Sequence, residues 1–169
     1  VDLELVQKSG GVDLADVGRR YVEAIAWRAQ GRDFAVDKLP SNFLNLGFIL
    51  QALPQARVLH MVRDPMETCF SNLRELFSDA NPHSYDQREL AGYFARYRAL
   101  MAHWHARFPG RIHDLRYEAL VGDTENALRG VADYCGFDFE PAMLRPGEGG
   151  GVAATASAAQ VRGGVRQRA

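Results

Sequence analysis

The stretch VLHMVRDPMETCFSNLRELF, Val58 to Phe77, constrains the fold of this chain more than any other. Val58, Leu59, Met61 and Val62 make a short apolar run, the pattern of a buried strand in a parallel sheet. Asp64 follows as a helix cap, with Pro65 at the first helical position and Glu67 closing a capping box. The stretch therefore predicts a strand over Arg57 to Val62, a sharp turn, and a helix over Asp64 to Phe77. Arg63 falls at the carboxyl end of the strand, where open α/β sheets bind ligands. Ser71 lies eight residues on, about two helical turns away. A guanidinium fork and a hydroxyl so spaced suit a phosphate.

Helical periodicity recurs through the chain. Leu14 to Gln30 carries Leu14, Val17, Tyr21, Val22, Ile25 and Ala26 at helical spacing. Asn42 to Leu53 reads as a helix capped by Ser41 and stopped by Pro54. Asp86 to Phe108 reads as a long helix with Leu90, Phe94, Tyr97, Met101 and Trp104 on one stripe. Thr124 to Cys135 is a further helix, with Gly136 suited to its end. Phe34 to Val36 and Arg111 to Tyr117 read as strands, and Ser78 to Tyr85 as a loop. Strands alternating with helices predict an α/β fold, a parallel sheet flanked by helices. From Pro146 onward Gly, Ala and Ser dominate, the composition of a flexible segment.

Composition narrows the function classes. The 169 residues carry a formal net charge of −1, which argues against wrapping nucleic acid. No apolar run reaches the ~18 residues of a membrane span. Two cysteines, Cys69 and Cys135, are too few for a disulfide framework. They read as small core residues of a protein in a reducing, cytoplasmic compartment. The pair His103 and His105 points two ways on a helix and makes a poor metal site, so no metal is expected. His60 reads as a core imidazole with a polar partner.

The Arg63 to Ser71 spacing resembles the 3′-phosphate motif of sulfotransferases that use 3′-phosphoadenosine-5′-phosphosulfate (PAPS). Three further segments are similar to that family, in its order. Asp37-Lys38-Leu39-Pro40 resembles the turn whose Lys contacts the bridging oxygen of the phosphosulfate. Arg116-Tyr117-Glu118 resembles its YE-x-L-V segment, which implies Tyr117 at a strand end, stacked on adenine, and Glu118 capping or orienting the turn. Thr155 to Arg162 resembles the family's TAS-x-x-QVR segment, which implies Ser157 on the nucleotide phosphates. The version of these motifs is close to a bacterial branch that carries tetratricopeptide repeats upstream and is similar to protein-tyrosine sulfotransferases.

The resemblance implies a P-loop-NTPase-like sulfotransferase fold, one partial domain over 1–169, with 146–169 covering the cofactor. It implies transfer of sulfate from PAPS, without metal, to a hydroxyl of a protein (tyrosine included) or a small molecule. Lys38 would be catalytic, and Arg63, Ser71, Tyr117 and Ser157 would hold the nucleotide. The family's 5′-phosphosulfate loop and usual base precede these motifs, and no GxxxxGK loop occurs here. The chain is therefore expected to be N-terminally truncated and inactive alone. A nucleotide-kinase fragment of the related P-loop fold, or a non-catalytic nucleotide-binding remnant, are the alternatives.

Overall fold

A computed structural model of the chain describes residues 4, 7–8, 10–75, 77 and 81–145. The chain divides into two compact units, Val1–Ala56 with Tyr97–Arg111, and Arg57–Arg96 with Ile112–Ala169. Helix α4 (Gln87–Arg107) contributes residues to both. Among the described residues no helix is long and apolar enough to cross a membrane.

The first unit is built on helix α1 (Leu14–Ala29), a 3-10 turn over Pro40–Asn45 and helix α2 (Leu46–Ala52). Asp13 caps α1, its carboxylate accepting from the N–H groups of Ala15 and Asp16. Gln30 ends α1 in the left-handed conformation. The buried line of α1 runs through Leu14, Gly18, Tyr21 and Ile25, with Gly18 at its centre. Val17 and Val22, expected on that face, are exposed. The reason is close approach: a Cβ on Gly18 would lie 1.8 Å from the Ala52 carbonyl oxygen at the end of α2. Only glycine lets the two helices meet here, and that contact sets the helix rotation.

Among the described residues, Leu46, Leu50 and Met101 are the buried apolar side chains of this unit. Trp104 lies across α2 at Gly47 and donates its indole N–H to the Phe43 carbonyl at 2.8 Å. The stripe Leu90, Phe94, Tyr97, Met101 and Trp104 of α4 is buried or half-buried, as its periodicity predicts. Two expectations differ. Asn42 to Leu53 is not one helix but the 3-10 turn and then α2, and Ser41 caps neither. Pro40 presets the first turn, and Leu39 stands at its cap position without a side-chain bond. Phe34 to Val36 is no strand. A three-residue segment needs a ladder partner to persist, and the sheet among the described residues is made of two other strands.

The second unit holds strand β1 (Val58–Val62), helix α3 (Pro65–Arg74), a 3-10 turn at Pro82–Tyr85, strand β2 (Ile112–Arg116) and helices α5 (Tyr117–Gly122) and α6 (Thr124–Cys135). The strands pair in parallel, Val58 opposite Ile112 through Val62 opposite Arg116. His60 meets Asp114 across this ladder, Nδ1 to Oδ1 at 2.8 Å, so its expected polar partner is present. Helix α6 braces the sheet: the Tyr134 hydroxyl accepts from the Val58 N–H, and its ring stacks on His113. Among the described residues, Leu90, Ile112, Val131 and Ala132 supply the buried apolar side chains of this unit.

The architecture is α/β, a small parallel sheet with helices. β1 is less buried than expected, however. Leu59 and Met61 are 45% and 51% exposed, because that face of the strand is uncovered by the described residues. Arg111 to Tyr117 also differs: the strand stops at Arg116, and Tyr117 opens α5.

Asp123 caps α6 through the Asn126 N–H at 3.1 Å, and Gly136 ends it at φ +82°. Asp123→Ala removes that acceptor and should cost about 1 kcal/mol. A lowering of Tm by a few degrees in thermal melts is the expected result. An unchanged Tm would mean that water replaces the cap at no cost.

Candidate nucleotide site at the ends of the parallel strands

The strand register itself builds this site. Partners across the ladder are separated by a constant offset, 112 − 58 = 54 residues. Continuing that offset beyond Val62 and Arg116 sets Arg63 beside Tyr117 and Asp64 beside Glu118. Both contacts exist. The Arg63 guanidinium lies over the Tyr117 ring, 5.1 Å from its centroid. The Asp64 N–H donates to Glu118 Oε1 at 2.8 Å. Residues far apart in the chain thus meet at the carboxyl edge of the sheet, where α/β proteins place ligands.

The turn between β1 and α3 is closely tied. Asp64 Oδ1 accepts from the Glu67 N–H at 2.9 Å, which caps α3 with Pro65 at its first position. The reciprocal half of the expected capping box is absent. Glu67 does not reach back to the Asp64 N–H, which Glu118 has taken. Its carboxylate instead accepts from Arg63 Nη2 at 2.9 Å. Arg63 is thus held by one nitrogen on Glu67 and by its place over the Tyr117 ring, and no described residue engages the rest of its fork. A planar cation fixed this way suits a phosphate, which takes two parallel N–H donors.

Electrostatics agree with the geometry. The Asp64 N–H, more than any other group, holds the Glu118 carboxyl below its usual range; its own backbone N–H adds to this, and the Asp64 charge opposes it. Glu118 therefore remains an anionic acceptor to lower pH than an ordinary glutamate. The contact is present above the ordinary glutamate range and fades as pH falls through the depressed value.

The other expected residues are distributed as follows. Ser71 is exposed on α3, and the described contacts of Arg63 are with Glu67 and Tyr117 rather than with Ser71. Lys38 belongs to the first unit, exposed in the segment before Pro40. Its neighbour Asp37 accepts a hydrogen bond from the Tyr21 hydroxyl of α1, which ties the turn to that helix. That bond, then burial, raises the Tyr21 pKa. Ser157 lies outside the described residues. Tyr117 stands at the end of β2 with the Arg63 guanidinium over one face of its ring. The Arg63–Glu67 pair went unread in the sequence, although an i,i+4 Arg and Glu on a helix start was its signal.

A parallel α/β sheet with a closely tied strand-to-helix turn at its carboxyl edge defines the class, and the chain belongs to the sulfotransferase family, which matches over residues 4–141. It is similar to an uncharacterized protein of Aquifex aeolicus (strain VF5), 31% identical over 155 residues, covering 90% of this chain and 20% of that protein. It is also similar to the omega-hydroxy-beta-dihydromenaquinone-9 sulfotransferase Stf3 of Mycobacterium tuberculosis (strain CDC 1551 / Oshkosh), 30% identical over 130 residues, covering 72% of this chain and 33% of that enzyme. Among solved structures, the sulfotransferase domain from the curacin biosynthetic pathway shares the fold, with a TM-score of 0.65 at 21% identity, covering 85% of this chain and 52% of that one. The chain spans about a fifth to a third of the length of the curated relatives it matches.

Proposed function

We propose that this chain is the part of a PAPS-dependent sulfotransferase that holds the 3′-phosphate of the nucleotide and steadies the leaving group. The single observation that carries this reading is the Arg63 guanidinium, held over the Tyr117 ring and by Glu67 at the carboxyl edge of the parallel strands. The N–H groups at the start of α3 add to the favourable field for an anion there. Ser71, eight residues on, supplies a hydroxyl to the same phosphate, and Ser157 a second one to the nucleotide.

PAPS supplies an activated sulfuryl group. The acceptor hydroxyl oxygen forms a bond to sulfur as the bond from sulfur to the phosphate oxygen breaks. Negative charge gathers on that phosphate oxygen, and the acceptor proton passes to a base. The Lys38 ammonium donates to the charging oxygen, where a fixed cation contributes most. Arg63 anchors the far end of the nucleotide and so holds the reacting atoms in line. The acceptor is a hydroxyl compound, as the name of the mycobacterial relative states for that enzyme.

Calorimetry with 3′,5′-bisphosphoadenosine and with 5′-AMP tests the site. Losing one charge-assisted contact costs about 1.5–3 kcal/mol, so the bisphosphate should bind about tenfold or more tightly. Arg63→Ala should erase the difference. Equal affinities in the unsubstituted protein would remove the basis of the assignment.

A further inference from the structure

We propose that Glu118 is a positioning residue for the nucleotide site: by accepting the Asp64 N–H, it leaves Glu67 to hold Arg63 in its phosphate-binding orientation. The inference rests on the reading of Arg63 as the 3′-phosphate anchor.

The argument starts from competition for one donor. Asp64 stands at the cap of α3, and Glu67 three residues on accepts no backbone donor there. A glutamate at that position ordinarily reaches back to the cap residue's own N–H. Here Glu118, arriving from the adjoining strand end, occupies that N–H at 2.8 Å. Glu67 is left to pair with Arg63 Nη2. Two carboxylates thus divide two donors, and the division depends on Glu118 being in place.

The same contact fixes the backbone of the turn. The Asp64 N–H belongs to the peptide plane that joins Arg63 to Asp64. Anchoring that plane sets the direction in which the Arg63 side chain leaves the sheet. Tyr117, the residue before Glu118, places its ring under the Arg63 guanidinium, 5.1 Å from ring centroid to guanidinium carbon. One short segment at the start of α5 therefore holds both the backbone and the side chain of Arg63, and the strand register delivers it there.

Removal of Glu118 frees the Asp64 N–H, Glu67 swings back to claim it, and Arg63 loses its partner and its aim. The effect should fall on the 3′-phosphate alone. In calorimetry, Glu118→Ala should weaken 3′,5′-bisphosphoadenosine by about tenfold, the scale of one misdirected charged hydrogen bond. Its affinity for 5′-AMP should stay unchanged. Glu118→Gln, which keeps an amide oxygen to accept the N–H, should restore most of the selectivity. Glu118→Asp, one methylene shorter, is read the same way as alanine should the alanine variant not fold. In a double-mutant cycle, Glu67→Ala and Glu118→Ala should be non-additive, since both act through Arg63. Selectivity preserved in Glu118→Ala, or equal loss for both nucleotides, would overturn the positioning role. Absence of any preference in the unsubstituted protein would instead overturn the parent reading of Arg63.

Discussion

Lys38→Ala in the complete protein is expected to lower turnover by about two to three orders of magnitude, the cost of removing one preorganised donor from a developing oxyanion. Affinity for PAPS should change far less. The leaving oxygen carries little extra charge in the bound ground state and much more as the S–O bond breaks, so the ammonium acts mainly on the transition state. Lys38 is exposed and pairs with no acidic side chain among the described residues, so its charge is available to a ligand. Asp37, next to it, is occupied by the Tyr21 hydroxyl. Lys38→Arg keeps the charge but changes the donor geometry, and should recover only part of the rate. Single-turnover kinetics with saturating PAPS give the measurement. An unchanged rate would reduce Lys38 to a solvated surface residue.

Gly18→Ala should destabilise the first unit by roughly 3 kcal/mol or more, at the upper end of overpacking effects. Alanine gains up to about 1 kcal/mol over glycine in helix propensity, so the sign depends on the clash. Here the added carbon would meet the Ala52 carbonyl oxygen at 1.8 Å and its carbon at 2.7 Å, both backbone atoms that cannot turn aside. The helices α1 and α2 must separate, and Leu50, only 2% exposed, lies in the core of this unit. Gly47→Ala makes the useful comparison. Its new carbon would approach the far edge of the Trp104 ring at 2.8 Å, a side-chain contact rather than a backbone one. Gly47→Ala should therefore cost less than Gly18→Ala. Urea unfolding of the two variants decides the order. Gly18→Ala as stable as the unsubstituted chain would mean that α1 does not seat on α2 through this contact.

The turn at Arg63 shows what a local reading delivers. The apolar run of β1, the cap at Asp64 and the proline at the head of α3 act over a few residues, and each sits where those residue types require. The same holds for the stripe of α4 and the glycine end of α6, whose periodicity and left-handed φ are properties of short segments. Arg63 at the strand end follows from that local order alone.

Its surroundings do not. Local spacing assigns the Asp64 N–H to Glu67, as the closing residue of a capping box, whereas the structure gives it to Glu118 and leaves Glu67 to Arg63. Parallel pairing resolved it, because a constant offset along the ladder carries Tyr117 and Glu118 to Arg63 and Asp64. Register is a relation between distant segments, and no spacing within either segment encodes it. The rotation of α1 was hidden for a related reason. Hydropathy favoured Val17 and Val22 for the buried face, whereas helix contact is decided by how near two backbones can come, and Gly18 alone permits the approach to Ala52. Short-range chemistry, capping and periodicity, is thus carried by the sequence itself. Which carboxylate holds which donor, and which side of a helix is buried, arises only when the segments meet in the tertiary structure.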